Sequence, residues 1–241
     1  MSDIPLPLED IEFAQNPEPR CPVVLVLDRS GSMIGQPMEE LNEGLRIFAE
    51  EIKQDTLAAL RVEVAVVIFG PVRVLDVRGG AAQEIPADAS QAFITANEFE
   101  PPDIKLGGDT PMGEAVETAL ALLRDRKEIY KANGVDYFRP WMFLVTDGAP
   151  NPGSNWMEAA EHVKQEESRK GVIFYGVGVQ RANLKNLACF SDQRPPVRLK
   201  GLAFRDLFQW LSKSLSAVAQ SKPGDQVALP PVNWGSIDTS T

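Results

Sequence analysis

The chain has 241 residues, 44% hydrophobic and 24% charged, the balance of a globular protein with a substantial core. Its net charge of −10 argues against nucleic acid or an anionic lipid surface as the main partner, since both require a basic face. Two cysteines, Cys21 and Cys189, are too few for a disulfide framework or a thiolate metal site. The single histidine, His162, disfavours mechanisms that use imidazole as a base or zinc ligand.

Residues 1–21 read as an N-terminal arm rich in Pro and Glu. They lack the basic and apolar regions of a signal peptide. No stretch is long and apolar enough to span a membrane, and two reduced cysteines fit a cytoplasmic protein. PVVLVL (22–27) is a continuous apolar run, as expected of a strand covered on both faces. In the segment after it, Met38, Leu41, Leu45, Phe48 and Ile52 recur at helical spacing, with Pro37 suited to the first turn. RVEVAVVIFG (61–70) is a second buried strand, and VRVLDV (72–77) an edge strand paired to it as a hairpin. SQAFITANEF (90–99) reads as a short helix. A glycine-rich loop, GGDTPMG, then opens a long helix whose apolar stripe includes Ala115, Ala119, Leu122, Leu123 and Ile129.

WMFLVTDGAPNPGSN (141–155) is an apolar strand running into an acidic turn. The helix after it is expected to be capped by Asn155 with Glu158 three residues on, and it carries His162 at a solvated position. GVIFYGVGV (171–179) is a further strand, and AFRDLFQWLSKSLSAVAQ (203–220) an amphipathic closing helix. The rest is a tail rich in Pro, Gly and Ser, in which Trp234 either docks or hangs free. Alternation of strand and helix predicts a doubly wound α/β three-layer sandwich, its sheet mostly parallel with one antiparallel edge strand. The expected division is an arm (1–21), one domain (22–220) and a tail (221–241).

Two of the apolar strands end in chemistry, the first at Asp28 and the other at Asp147. In an open parallel sheet ligands bind beyond the carboxyl ends of the strands. Asp28, Ser30, Ser32, Thr110 and Asp147 can each present an oxygen there. An all-oxygen set with few carboxylates suits a hard cation: Mg2+ first, with Mn2+ or Ca2+ as substitutes. Gly31 is expected to turn the backbone tightly so that both serines bend inward, with Arg29 pointing outward. Each piece alone is also ordinary loop chemistry. Thr110 and Pro111 would start a helix in any case, and DRSGS or TDGAPNPGSN would make good turns. The combination and its order are specific.

VLVLDRSGSM, GGDTPMGEA and FLVTDGAPN resemble, in order, the three metal-binding loops of the von Willebrand factor A domain. The resemblance runs over about 22–220, and LKGLAFRDLFQWLSKSLSAVAQ and VNWGS are similar to the bacterial tellurium-resistance (TerY-type) subgroup. It implies a metal-ion-dependent adhesion site. Ser30, Ser32 and Thr110 would bind the ion directly and Asp28 and Asp147 mainly through water, with an Asp or Glu of a protein partner completing the shell. The same resemblance implies a stress-response role that brings a protein kinase and a phosphatase together. Arg29, Met33, Ile34, Pro111, Met112, Pro150 and Asn151 lie on the same loops and would surround such a partner.

Two rivals belong to other classes. A phosphotransferase of the haloacid dehalogenase type also places an aspartate at a strand end with magnesium, but needs a second acid two positions on, where this chain has Ser30. A serine hydrolase is disfavoured because DRSGS is not a G-x-S-x-G elbow. A structural domain whose metal only stiffens its loops is the third reading. The expectation is a binding domain rather than an enzyme.

Overall fold

A computed structural model of the chain describes residues 13, 15–151 and 153–237; the rest of the expected arm lies outside them. The first strand, β1 (Cys21–Asp28), is buried at all eight positions, so it begins one residue inside the expected arm. Its neighbour β2 (Val62–Phe69) is equally buried. They pair in parallel, Cys21 opposite Val62 and Asp28 opposite Phe69, and β6 (Trp141–Thr146) pairs in parallel on the other side of β1. Runs of Val, Ile and Leu with no polar alternation are what two covered faces require. The polar exceptions are Asp28 and Thr146 at the strand ends and Glu63, which is buried in ion pairs with Arg20 and Arg126.

Outward from β6 come β7 (Ile173–Gly178), β8 (Val197–Leu199) and β9 (Gly235–Ile237). Outward from β2 come β3 (Arg73–Asp76) and β4 (Gln83–Ile85), giving the order β4-β3-β2-β1-β6-β7-β8-β9. β5 (Ile94–Thr95) also pairs with β2. The sheet is mostly parallel, with antiparallel pairing at its margins. The expected edge strand is β3, and β4 extends the sheet beyond it.

Helices α1 (Gln36–Gln54) and α7 (Phe204–Ala219) cover one face with Leu41, Leu45, Phe48, Phe208 and Leu211. Gly44 lets them approach closely, because a Cβ there would lie 2.5 Å from the Phe208 ring. Helices α4 (Met112–Ala132) and α5 (Trp156–Ser168) cover the other face through Ala115, Ala119, Leu122, Ala159 and Val163. Gly113 plays the matching part there, its Cβ direction blocked 2.7 Å away by the Trp156 backbone. Short helices α2 (Thr56–Arg61), α3 (Ala89–Ala92) and α6 (Leu184–Ala188) fill connections.

Several local expectations are corrected. The segment 90–99 yields only the end of α3 and then β5. Asn155 precedes α5 without a side-chain cap, and α4 begins after Pro111 rather than on a Thr110 side-chain cap. His162 is half-buried, with Nδ1 2.6 Å from Glu117 on α4. The tail docks: Trp234 is 0% exposed against Trp210 of α7, and β9 adds a strand to the sheet.

Candidate metal centre

Asp28 closes β1 and is fully buried. Its Oδ1 accepts from the Ser30 amide at 2.8 Å, and its Oδ2 from Thr146 Oγ1 at 2.5 Å. Burial pushes its carboxyl pKa up; hydrogen bonds from Ser30 and Thr146 oppose this, and repulsion from Asp147 adds to it. Beyond Asp28, a 3-10 turn at Gly31–Met33 brings the Ser30 and Ser32 hydroxyls within 3.1 Å of each other. Ser32 donates to Asp147 Oδ1 at 2.7 Å. Asp147 is likewise raised by burial, against the bond from Ser32. Asp28, Ser30, Ser32 and Asp147 are therefore one connected polar group at the carboxyl ends of β1 and β6.

Backbone hydrogen bonds hold the second loop against the first. Gly107 N donates to Arg29 O at 2.7 Å, Gly31 N to Gly108 O at 3.2 Å, and Gly108 N to Gly70 O at 2.8 Å. This is where glycine is required: a Cβ on Gly107 would fall 1.7 Å from the Gly70 carbonyl oxygen and 3.0 Å from Arg29 Nε. At Gly31, by contrast, a Cβ would meet nothing and φ is ordinary, so the two serine hydroxyls meet because the chain makes a 3-10 turn. Arg29 is only half-exposed, and its buried Nε has no partner among the described residues.

The third loop is tied to the second through Asn151. Its Oδ1 accepts from the Thr110 amide at 2.9 Å, and its own amide donates to Thr110 O at 3.1 Å. Gly148 lies between them, and a Cβ built there would stand 3.5 Å from both Asp28 Oδ2 and Thr110 Oγ1. Thr110 thus faces the same small space as Asp28, and all five predicted oxygen donors converge on one sheet edge. Three neutral hydroxyls and two carboxylates, with no sulfur or imidazole, fit a hard divalent cation that keeps part of its water. Among the described residues no group of three or more His, Cys, Asp or Glu offers a conventional alternative.

The von Willebrand factor type A domain model matches residues 23–200, which include all three loops. The chain belongs to the von Willebrand factor A domain family. A search of the curated proteins finds no match. Among solved structures, this A domain is similar to proximal thread matrix protein 1 from the mussel byssus, with 17% identity and TM-score 0.51 over 83% of this chain and 48% of that one. It is also similar to the pilus adhesin SpaC of Lactobacillus rhamnosus GG in its open conformation, with 14% identity and TM-score 0.56 over 83% of this chain and 30% of that one. The chain thus spans about half of the first protein and under a third of the second, and at these identities the likeness is one of fold. No helix among the described residues is long and apolar enough to cross a membrane.

Three residues that support the A domain's loops carried no clear signal in the sequence. Thr146 donates to Asp28 and accepts from the Gly148 amide at 3.1 Å. Asn42 on α1 exchanges hydrogen bonds with both backbone groups of Ile104, at 2.9 and 3.0 Å, and so fixes the approach to the glycine loop. Asn151 could be read only as a turn or rim residue. The partners lie 118, 62 and 41 positions apart respectively, and an alternating polar residue at the strand end was the only available hint.

Proposed function

We propose that this A domain is a metal-dependent protein-binding module. Ser30, Ser32 and Thr110 would hold Mg2+ directly, Asp28 and Asp147 through water, and Mn2+ or Ca2+ could substitute. The bound ion would supply a site of net positive charge that attracts a carboxylate from a partner's Asp or Glu. The supporting observation is the convergence of the five oxygen donors at one end of the sheet, with both carboxylates raised by burial and, among the described residues, no cationic group paired to them. The surroundings support capture of a protein: Ile34 is 67% exposed, Met157 63% and Leu106 40%, each on or beside one of the three loops. Solvated apolar side chains of this size around a polar centre are a usual feature of protein-binding surfaces. One similar structure is named as an adhesin. By the tellurium-resistance resemblance, the domain would act in a bacterial cytoplasm, in a stress response with a kinase and a phosphatase as partners.

We favour binding over catalysis. Both oxygens of Asp28 are engaged by Ser30 and Thr146, and the carboxylate is buried, so a phosphatase-like nucleophile would first have to be released. The test compares the native chain with Asp28→Ala in Mg2+ and in chelator, by thermal melting and by partner capture from bacterial lysate. The proposal expects Mg2+ to raise Tm and to be required for one partner, both effects being lost in the variant. A Tm shift with identical partners in every condition would make the metal structural. Phosphoester turnover that depends on Asp28 would make the domain an enzyme.

A further inference from the structure

We propose that a second site, at the amino-terminal end of the sheet, binds an acidic peptide segment of a protein partner. A cleft of about 970 Å³ opens there between the ends of α4 and α5, the starts of β6 and β7, and the segment leading from α7 to β9. Seven Lys or Arg side chains line it against three carboxylates, on a chain whose net charge is −10. The lining of this cleft is therefore positive on a chain that is negative as a whole.

Part of that charge has a local reason. Lys131 in the last turn of α4, and Arg169 and Lys170 just past the end of α5, stand where cations complement the helix dipole. Arg139 and Arg194 do not, since they come from the lead into β6 and the lead into β8. Arg194 Nη1 lies 2.8 Å from the Glu167 carboxylate, and Arg139 donates to the main-chain oxygens of Glu167 and Val172. Arg139 is held below its usual pKa by burial and then by the charge of Arg194. Arg169 and Lys170 are exposed, with no side-chain partner among the described residues. Arg124, Lys127, Lys131 and Arg194 are ion-paired with Asp125, Glu166, Glu128 and Glu167, so the cations left without a carboxylate partner among the described residues are Arg139, Arg169 and Lys170.

Below the charges the cleft is apolar. Tyr137, Tyr175, Ile173, Val218 and Leu229 are half-buried along it, and Arg194 lies 5.6 Å over the Tyr175 ring. A free phosphate would leave this apolar surface uncovered. A nucleic acid would have to bring its dense charge past Glu128, Glu166 and Asp225 and then along an acidic body. A short peptide that interleaves carboxylates with apolar side chains meets both features and only the cleft. The site lies about 20 Å along β6 from Asp147, so it does not depend on the metal reading. With both sites in use, the domain could hold two partners at opposite poles.

The experiment titrates the full chain in chelator with a fluorescent eleven-residue peptide alternating Glu with Leu or Tyr. Its Gln counterpart and a single-stranded oligonucleotide of equal charge are run in parallel. Binding by the Glu peptide is expected to be lost in the Gln peptide. It should weaken at least ten-fold in Arg169→Glu/Lys170→Glu and in Arg194→Gln, and be unchanged in Asp28→Ala and in the control Lys53→Glu/Lys105→Glu. Amide shifts should map to Tyr137, Gly171, Tyr175 and Gly224. Melting curves show that each variant is folded. The proposal is overturned if the Glu peptide does not bind or if the Gln peptide binds equally. Equal losses in the control variant, shifts mapping to the metal loops, or tighter binding of the oligonucleotide would also overturn it.

Discussion

Asp28 carries a cost that the bound ion would remove. Its carboxylate is buried with a raised pKa, so in the metal-free protein at neutral pH the charge is held in a poor environment. Asp28→Asn keeps an acceptor for the Ser30 amide and a donor for Thr146 Oγ1 while removing the charge. We expect this variant to be more stable than the native chain in chelator at pH 7, and to gain nothing from Mg2+. The sign with pH follows from linkage. A carboxyl raised in the folded state contributes most to stability below its ordinary value of 3.8 and loses that contribution as pH rises through the raised value. The advantage of the asparagine variant should therefore shrink from pH 7 towards pH 4, as denaturant titrations in chelator would show. Gly107 gives a second residue-scale prediction. An alanine Cβ would collide with the Gly70 carbonyl oxygen, so Gly107→Ala must displace the second loop from the first. About 1–3 kcal/mol of stability and most of the Mg2+-induced rise in Tm should be lost together. Gly31→Ala, with open space at its Cβ, should retain both.

Among the elements, those visible in the sequence have a long period or an unbroken apolar run. β1, β2 and β6 are buried at every position, and α1 and α7 present one regular apolar stripe each. Asp28, Ser30, Ser32 and Asp147 were legible because they follow the end of such a run, and Thr110 because a glycine-rich loop precedes a long helix there. β4, β8 and β9 have three residues each, too few for a period, and exist because a neighbouring strand offers an open edge. The tail shows the same dependence. Its composition is that of a loop, yet Trp234 reaches the core beside Trp210, whose Nε1 donates to Pro230 O at 2.8 Å. The indole Nε1 of Trp234 is itself buried without a partner among the described residues, and that costs part of what its burial contributes. Trp234→Ala should thus lose about 3–5 kcal/mol and free β9. Trp234→Phe, which removes the unpaired N–H while keeping an aromatic ring, should lose much less. Urea denaturation orders the two, and equal losses would mean that the N–H matters or that the ring does not.

At the scale of the whole molecule the two ends of the sheet do different work. At the carboxyl ends, loops gather the oxygens of the proposed ion site. At the amino ends, Glu63 is fully buried and accepts from Arg20 at 3.0 Å, from Arg126 twice at 2.8 Å, and from the Tyr130 hydroxyl. Burial and the charge of Glu63 drive the Tyr130 pKa well up, so Tyr130 stays a donor. A buried ion group of this kind contributes little compared with an apolar core, yet breaking it by removing one member is severe. Glu63→Ala should cost about 3–5 kcal/mol, because it strands guanidinium charge between β1, β2 and α4. Whether that cost reaches the metal site depends on how rigid the sheet is. Glu63 and the Asp28–Phe69 pair lie at opposite ends of the β1–β2 ladder, about 20 Å apart. Effects at sites that far apart add to within about 0.5 kcal/mol. The double variant Glu63→Ala/Asp28→Asn should then show the sum of the single changes in unfolding free energy. Glu63→Ala alone, kept at a temperature where it is folded, should bind Mg2+ with native affinity. A non-additive double variant, or a weakened metal affinity, would mean that the sheet transmits strain between its ends and that partners at the two poles would sense each other.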